Sequence, residues 1–425
     1  MYEYYQRREL LTEVHSRPFQ LFSAPLKLLH LAALYETESA AAIEQQVLAT
    51  IRKLGFVFAA DHAGFLFVTN KKHAIRYEPH NEFYTLTLYH LHGAPALVEA
   101  TVLKQQLPGA LLVELELFCE QGKPSGDPDS EAYRAVDQLD SCIKERFLSA
   151  QYCVSRVMNG AAVVATDFRT KLDQNCVTMM VKDIRLQPAE TGRLLQRLCE
   201  LETYRHMALL GLPSARQLMP EITRLDQQLA EITRDEPEVD LSERLSHMTR
   251  LAAQVEAISA GTANRFSASD AYFAMVERCI HELREQRVEG GQMIGEFMDR
   301  HLRPAQRTCN SAAARTDLLY RRIARATELV QSQVNLRIEE QNQELLEALN
   351  ARTKRKMGLE AKLESLSVVV VVYYLYDLMD LALKNLLHKG PLLESLLAGL
   401  TLSLPLLIVL VAVLVRRLVR NYRDE

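Results

Sequence analysis

The hydrophobic pattern of the N-terminal part of the chain predicts strands mixed with short helices. The apolar run Leu26–Leu34 is typical of a buried strand, and residues 37–54 repeat apolar side chains at helical spacing before Gly55. We therefore predict an α+β region over residues 1–185, either one domain or two small similar ones. Its other predicted elements are a helix at 94–107 and strands at 64–69, 74–77, 83–91, 110–119, 153–158, 161–168 and 176–181.

Helical spacing dominates the next part of the chain. Residues 189–210 carry apolar side chains on one face, and no proline interrupts residues 305–389. An unbroken helix over 317–383 would be on the order of 100 Å long, and helices of that length are usually held by other helices. We therefore predict a long α-helical bundle or stalk over residues 186–363 that assembles the chain into a homo-oligomer. Shorter helices are predicted at 222–232, 241–258 and 268–287.

Two strongly apolar stretches follow the predicted stalk, Leu366–Leu383 and Leu396–Val415. As helices they would rise about 27 Å and about 30 Å, which matches the hydrocarbon core of a bilayer. The polar connection between them contains a Gly-Pro pair, which favours a turn. We therefore predict a C-terminal two-helix transmembrane hairpin over 364–418 and a short tail at 419–425, with a buried hairpin in a globular core as the alternative.

Basic residues flank both outer ends of the predicted hairpin. Nine Lys and Arg residues lie within 352–362 and 416–423, against two in the connecting turn. Because positive charge stays on the cytoplasmic side, both termini and the α+β region are predicted to be cytoplasmic. The N-terminal sequence has no apolar core of the kind found in signal peptides. The residues predicted to contact lipid headgroups are Lys354, Arg355, Lys356, Arg416 and Arg417.

Charge and cysteine content narrow the classes of function. Lys and Arg total 50 and Asp and Glu total 54, a net charge of −4, which argues against a dedicated nucleic-acid binder. The seven cysteines contain no C-x-x-C pair, so neither a disulfide framework nor a structural zinc site is predicted. The sequence also lacks the common phosphate-loop, dinucleotide, zinc-protease and nucleophile-elbow motifs. We therefore expect a non-enzymatic protein without a cofactor.

Several short segments together resemble one known family. They resemble the bacterial membrane-anchored proteins of domain-of-unknown-function family 3422 over essentially the whole chain. The resemblance implies a place in the bacterial cytoplasmic (inner) membrane, as a multi-pass protein, but implies no activity. The segments are His15-Ser16-Arg17-Pro18-Phe19, GRLLQRL at 192–198, Glu202-Thr203-Tyr204-Arg205, ALLGLP at 208–213, ANRF at 263–266, GEF at 295–297, RPA at 303–305 and EQN at 340–342.

A second resemblance concerns layout alone. A cytoplasmic α/β domain, a long stalk helix continuing as the first span, a short turn and a second span also describe the subunits of CorA-type magnesium channels. Those channels carry a Gly-Met-Asn triplet at the outer end of the first span, and residues 380–385 contain no such triplet. The selectivity chemistry of that family is therefore not carried over.

Asp377 and Asp380 are the candidate ion-path residues, together with Tyr373. The two aspartates are three positions apart, on one helical face of the first apolar stretch. A carboxylate inside a bilayer normally faces a bundle interior or an ion, and a ring of symmetric copies would suit a hydrated divalent cation. The alternative is that both aspartates lie at the outer interface of the membrane.

Three other polar groups admit a functional and a structural interpretation. His90 and His92 would share a strand face and suit a transition metal, or belong to an ordinary exposed face. His15 and Arg17 would bind an anion or fix the N-terminal segment to the domain. Glu202, Tyr204 and Arg205 form either an active constellation or a structural ion pair on one helix. The metal, if any, is left unknown.

These patterns favour an oligomeric membrane protein that acts as a non-enzymatic scaffold or as a sensor of an unknown ligand. A CorA-like divalent-cation channel or transporter subunit is the alternative. The two hypotheses differ in one respect, since only the channel requires the face of Asp377 and Asp380 to line a symmetry axis.

Overall fold

The computed structural model divides the chain into two compact units. Unit 1 comprises Met1–Glu238 and Ser246–Thr327, and unit 2 comprises Val239–Leu245 and Glu328–Glu425. The division predicted from sequence, with boundaries at 185 and 363, stays a prediction. The structure describes residues 7, 19–36, 39–59, 64–122, 147, 152–170, 175–234, 240–386, 395, 399, 403, 406, 409–411 and 413.

One nine-stranded sheet forms the centre of unit 1. Its strand order is β2-β3-β4-β1-β5-β8-β7-β6-β9, and of its eight neighbouring pairs only β5 with β8 is parallel. The strands are β1 Leu26–Leu34, β2 Leu66–Thr69, β3 His73–Pro79, β4 Phe83–Leu91, β5 Ala110–Gln121, β6 Cys153–Val157, β7 Ala162–Thr170, β8 Val177–Asp183 and β9 Gln286–Arg287.

Six helices lie within the described ranges. The sixth passes from unit 1 to unit 2 at Glu328. They are α1 Ala40–Lys53, α2 Ala100–Gln106, α3 Pro188–Leu209, α4 Gly211–Ile232, α5 Leu241–Leu283 and α6 Ile294–Leu386.

The sheet of unit 1 is packed on both faces, which explains the almost continuous apolar sequence of its central strand β1. On one face, α1 buries Ile43, Val47 and Ile51 against β1, β3 and β4. Each such side chain contributes about 1.5–3 kcal/mol when fully buried. On the other face, α3 packs Leu194 and Leu198 into a core shared with α5 and α6.

Local signals explain the ends of α3. Pro188 occupies its first turn, and Gln187 and Glu190 bond each other's backbone groups in a capping box. The helix ends at Leu209 and α4 begins at once at Gly211. A Cβ at Gly211 would lie 2.6 Å from the Ser269 hydroxyl, so only glycine fits where α4 starts against α5.

The α+β prediction and the predicted long helices are confirmed. The strands predicted in residues 26–183 coincide with β1–β8 within a few residues, and the helix predicted at 37–54 with α1, whereas the helix predicted at 94–107 begins six residues later, at Ala100. They form one sheet, because β5 and β8 pair and join the two β regions that the sequence left open as separate domains. The helices predicted at 241–258 and 268–287 are one continuous helix, α5.

The predicted transmembrane hairpin is wrong. Among the residues that the structure describes, no helix is both long enough and apolar enough to cross a membrane. The first apolar stretch, Leu366–Leu383, is the end of the 93-residue helix α6, whose preceding turns are largely polar. Asp377 and Asp380 place two carboxylates inside it, and a charged group at the centre of a bilayer is costly.

The second stretch, Leu396–Val415, lies mostly outside the described residues. The localisation built on the hairpin, a multi-pass protein of the bacterial inner membrane with cytoplasmic termini, is therefore corrected together with it. The sequence had already predicted that the first run continues a long helix, and the error lay in taking the apolar end of that helix for a membrane span.

Candidate functional site

An exposed apolar stripe runs along the part of α6 that belongs to unit 2. Its members are between 47% and 63% exposed, although leucine, isoleucine and valine are usually buried. They recur at intervals of three, four, seven and ten residues, all sums of the alternating three- and four-residue steps that separate coiled-coil contact positions. We call them the heptad stripe: Ile338, Leu345, Leu349, Leu359, Leu363, Leu366 and Val370.

Polar side chains occupy the remaining contact positions of the same spacing. Asn342 lies between Ile338 and Leu345, while Arg352 and Lys356 separate the stripe into two apolar blocks. All three are exposed. The Lys356 ammonium lies 3.8 Å from the Glu360 carboxylate one turn later, an exposed pair of little energetic weight.

The opposite face of this part of α6 is charged. Glu340, Glu347 and Lys354 follow one another at seven-residue intervals and are exposed. The helix therefore has an apolar face and a charged face, which is the pattern of a helix that packs against a partner along one side.

The predicted lipid-contact residues fall partly on this helix. Lys354, Arg355 and Lys356 are exposed on α6, whereas Arg416 and Arg417 lie outside the described residues. The lipid assignment depended on membrane spans at both ends and loses its basis with the hairpin.

The predicted ion-path residues lie near the end of α6. Tyr373 and Asp377 are exposed, and the ring of Tyr373 contacts that of Tyr374 edge-on at 6.0 Å between centroids. Asp380 is half-buried and has an interaction partner. The ion path was predicted inside a membrane span, and the structure places these residues on a helix that is not such a span.

Glu202 and Arg205 of the family segment form a buried ion pair on α3. Glu202 is fully buried, and both its carboxylate oxygens accept hydrogen bonds from Arg205, one of them at 3.1 Å. The Nδ1 atom of His206 lies 3.3 Å from the same carboxylate. Burial lowers the pKa of His206, an effect that the neighbouring Glu202 opposes. The structural interpretation of this segment therefore fits the geometry better than an active constellation.

Tyr204, the third residue of that segment, packs its ring against Tyr272 of α5 with centroids 6.0 Å apart. The guanidinium of Arg205 lies 5.2 Å from the ring centroid of Phe168 on β7. These contacts tie α3 to α5 and to the sheet, so the segment holds unit 1 together.

A buried polar network that the sequence patterns did not reveal lies between the sheet and α3. His30 of β1 has one ring nitrogen 2.7 Å from the Thr87 hydroxyl and the other 2.9 Å from the Thr203 hydroxyl. Burial, followed by the charges of Arg76 and His80, lowers the pKa of His30 to about 3. His30 therefore stays neutral at physiological pH. The only signal in the sequence is a single histidine within the apolar run of β1.

Arg76 of β3 extends the same network. It is 3% exposed and donates hydrogen bonds to Gln196 of α3 at 3.0 Å and to Glu78 at 2.7 Å. The cavity beside these side chains has a volume of about 40 Å³, room for one or a few waters and too small for an organic ligand.

The two histidines considered as metal ligands do not share a strand face. His90 is buried in β4 with its ring 5.3 Å from that of His73, whereas β4 ends at Leu91 and His92 lies in the following turn with a φ of 52°. Burial lowers the pKa of His90 to about 4. In the ranges covered by the structure, no three His, Cys, Asp or Glu residues are grouped so as to hold a metal ion.

The six cysteines within the described ranges are free and buried. Burial raises the pKa of Cys119, Cys153, Cys176 and Cys279 to about 12, so these thiols are protonated and weakly nucleophilic. Cys142 lies outside the described residues.

The N-terminal segment of the resemblance is only partly described. His15, Arg17 and Pro18 lie outside the described residues, and Phe19 is the first residue of the range that follows. The Arg193 guanidinium lies 4.9 Å from the ring centroid of Phe19. Phe19 is thus fixed next to α3, while the choice between anion binding and anchoring for His15 and Arg17 stays open.

Comparison with known families identifies the chain. The model of the family described as "Protein of unknown function (DUF3422)" matches residues 2–422. The chain belongs to this family. The whole-chain resemblance predicted from the short segments is therefore confirmed, while no curated protein matches the sequence. Among the segments that suggested DUF3422, ETYR at 202–205 supplies the buried ion pair of α3 and ANRF at 263–266 supplies Arg265, which binds Glu82 at 3.0 Å.

Proposed function

We propose that the protein is a non-enzymatic scaffold that self-associates through the heptad stripe of α6. The observation that carries this proposal is the exposure of seven apolar side chains at coiled-coil spacing on one helix. A solvated helix with such a stripe gains stability only when the stripe is covered, because most helical stability in proteins comes from packing of the apolar face.

A second copy of the same helix fits the stripe in parallel orientation. Asn342 lies at a contact position, where asparagine pairs favour a parallel dimer in register. In that register Arg355 of one helix lies beside Glu360 of the other, at the flanking positions where opposite charges set orientation. The charge pattern therefore supports a homodimer.

Burial of the stripe in a dimer should contribute a free energy of association that is large enough to measure. A fully buried leucine contributes about 1.5–3 kcal/mol, and a dimer buries each stripe position twice. Association itself costs roughly 4–15 kcal/mol. Arg352 and Lys356 weaken the middle of the stripe, so we expect a dimer of moderate affinity rather than an obligate one.

Several groups that could perform catalysis have structural roles in the described part of the chain, which supports a non-enzymatic function. The ring nitrogens of His30 both contact hydroxyls, the Glu202 carboxylate is held by Arg205, and burial keeps cysteine thiols such as Cys199 protonated by raising their pKa. The polar cavity next to His30 admits water but no organic substrate.

The channel alternative is not carried forward, because it required two membrane spans. A bacterial origin, which the resemblance implied, stays a prediction.

Cross-linking of the purified full-length protein tests the proposal. Asn342→Cys places a thiol in the contact line of a parallel dimer, and oxidation should produce a disulfide-linked dimer. Glu347→Cys is the matched control, since it lies on the charged face, two positions after Leu345 and two before Leu349, and should cross-link weakly. Equal cross-linking of both variants would contradict the parallel coiled coil.

Particle mass provides the second measurement. The double variant Leu345→Ser, Leu349→Ser removes one apolar block, so light scattering coupled to size exclusion should show a monomer where the native protein shows a dimer. Glu340→Ser, Glu347→Ser is the control on the opposite face and should leave the mass unchanged. A native protein that is monomeric at 100 μM would refute the proposal.

A further inference from the structure

A basic cleft lies in unit 1, apart from the heptad stripe. Its volume is about 470 Å³, within the range of small-molecule sites. Three elements form it: the tip of the β6–β7 hairpin, the first half of α3 and the end of α5. The lining residues used below are Met158, Asn159, Arg193, Leu283 and Arg284.

Two arginines of the cleft have no carboxylate partner among the residues that the structure describes. Arg193 projects from α3 and Arg284 follows the last residue of α5, and both are exposed. Neither forms an ion pair with any residue in the described ranges; Arg193 contacts only the ring of Phe19. The guanidinium groups are therefore available to an anion.

The carboxylates of the cleft are already engaged. Glu190 accepts a hydrogen bond from the backbone N–H of Gln187 at 3.0 Å, as part of the α3 capping box. Glu282 pairs with Arg197 and with Arg278. The third arginine, Arg197, is thus neutralised by Glu282, and Arg193 and Arg284 together outweigh the single remaining negative charge of Glu190.

The backbone at the hairpin tip is held in a conformation that few side chains adopt. Met158, Asn159 and Gly160 are consecutive residues with positive φ, at 52°, 57° and 79°, and Arg284 has a φ of 50°. Non-glycine residues in this region cost about 1–2 kcal/mol each and cluster at functional sites. Strain of this kind persists only where surrounding contacts impose it.

Two hydrogen bonds impose the conformation. The backbone N–H of Met158 donates to the Leu283 carbonyl at 2.8 Å, and Arg185 donates to the Asn159 carbonyl at 3.4 Å. The hairpin tip is thereby fixed against the end of α5, with the Asn159 side chain exposed at the cleft. The cleft is pre-formed.

Gly192, the first residue of the family segment at 192–198, explains how Arg193 is positioned at the edge of the cleft. A Cβ at Gly192 would lie 1.7 Å from the Gln20 carbonyl oxygen, so the chain crosses α3 directly over the missing side chain. The crossing brings Phe19 against the Arg193 guanidinium, 4.9 Å from the ring centroid. A flexible side chain is thus restrained at the edge of the cleft, which lowers the entropy lost on binding.

We propose that this cleft binds a small organic phosphate monoester. The planar guanidinium group of arginine donates paired hydrogen bonds that match the oxygens of a phosphate. Two arginines from separate elements can therefore contact different edges of one tetrahedral dianion. The volume exceeds that of a bare phosphate, and the half-buried side chain of Met158 provides an apolar contact for the organic part. The Asn159 amide is the polar group that would contact its hydroxyls.

Isothermal titration of the purified full-length protein tests the site. The probes are AMP, glucose 6-phosphate and inorganic phosphate, with adenosine and glucose as uncharged counterparts, all at matched ionic strength. We expect saturable binding of at least one ester, weaker binding of inorganic phosphate and no binding of the uncharged compounds. Arg193→Gln and Arg284→Gln should each weaken the ester at least tenfold, and added salt should weaken it further.

Arg224→Gln is the matched control, because it removes the same charge from an exposed arginine of α4 that does not line the cleft. The variant should bind like the native protein. The proposal fails if no phosphate compound binds saturably, if Arg224→Gln weakens binding as much as the cleft variants, or if inorganic phosphate binds as tightly as the esters. Arg284→Gln lies on a different element from Arg193, so misfolding of one variant leaves the other as a test.

Discussion

Replacement of Glu202 should unfold unit 1 at markedly lower denaturant concentration. Its carboxylate is fully buried and accepts two hydrogen bonds from Arg205, whose side chain is 13% exposed. Glu202→Ala leaves that guanidinium without its carboxylate in a mostly buried position. Breaking a buried pair by removing one partner costs about 3–5 kcal/mol, a large share of the roughly 5–15 kcal/mol that stabilises a typical domain.

Urea unfolding followed by far-ultraviolet circular dichroism measures this loss, since the chain contains no tryptophan for fluorescence. Glu221→Ala is the control: its partner Arg224 lies 3.9 Å away and both side chains are about half exposed. An exposed pair of this kind contributes about 0–1 kcal/mol. If Glu202→Ala and Glu221→Ala lowered the free energy of unfolding equally, the buried pair would not stabilise α3 and the structural interpretation would be wrong.

Three further perturbations have expected outcomes. Because the folded pKa of His30 is about 3 and the unfolded one about 6.5, only the unfolded chain is protonated there between these values. The free energy of unfolding should therefore fall by about 1.4 kcal/mol per pH unit as pH is lowered through this range, and His30→Gln should flatten that slope in urea titrations. Gly192→Ala should displace the segment at Gln20, seen as faster proteolysis near the N-terminus. Lys356→Leu should extend the second apolar block by one contact position and tighten self-association at least tenfold in sedimentation, since a buried leucine contributes about 1.5–3 kcal/mol.

Local elements of unit 1 were predictable because their signals lie within a few residues. The apolar run of β1, the Pro188 start of α3 and the Gly211 that separates α3 from α4 each act over one turn or one strand. Patterns of this range specify an element and its ends.

The pairing of distant strands was not predictable in the same way. β5 ends at Gln121 and its parallel partner β8 begins only at Val177. The local sequence of neither strand indicates that the two pair. Parallel pairing requires a long connection, so the two β regions could equally have formed separate sheets. The single sheet is a result of tertiary packing.

The membrane prediction failed because the apolar end of the long helix, which the sequence had already predicted to run through residues 317–383, was taken for a membrane span. Leu366–Leu383 satisfies a length argument, but it is the last part of α6 and carries Asp377 and Asp380. The heptad spacing that begins near Ile338 continues into this stretch at Leu366 and Val370. The apolar residues there are thus in part the continuation of a contact stripe.

The polar sites of unit 1 depend on residues far apart in sequence. His30 contacts a hydroxyl 57 residues away and another 173 residues away. The cleft combines residues from the β6–β7 hairpin, α3 and α5. No short sequence pattern around its arginines indicates a binding site. Gly192 was the one available signal, since a glycine inside a strong helix indicates a close approach of another segment.

The sequence left two roles open, a scaffold and a sensor. Thermodynamic coupling between ligand binding in the cleft and dimerisation through the stripe would distinguish these roles. Cleft residues belong to unit 1 and stripe residues to unit 2. If phosphate-ester binding changes the dimer dissociation constant by some factor, dimerisation must change ester affinity by the same factor. Sedimentation with and without a saturating ester, repeated for Arg284→Gln, measures that factor.

A sensor requires a coupling of at least about 1 kcal/mol, roughly fivefold, that Arg284→Gln abolishes. A scaffold with an independent ligand site predicts no change on ester addition. We expect the scaffold result, because the stripe of α6 is exposed and contains no residue of the cleft. A dimer that formed only in the presence of ester would show instead that self-association is the output of the cleft.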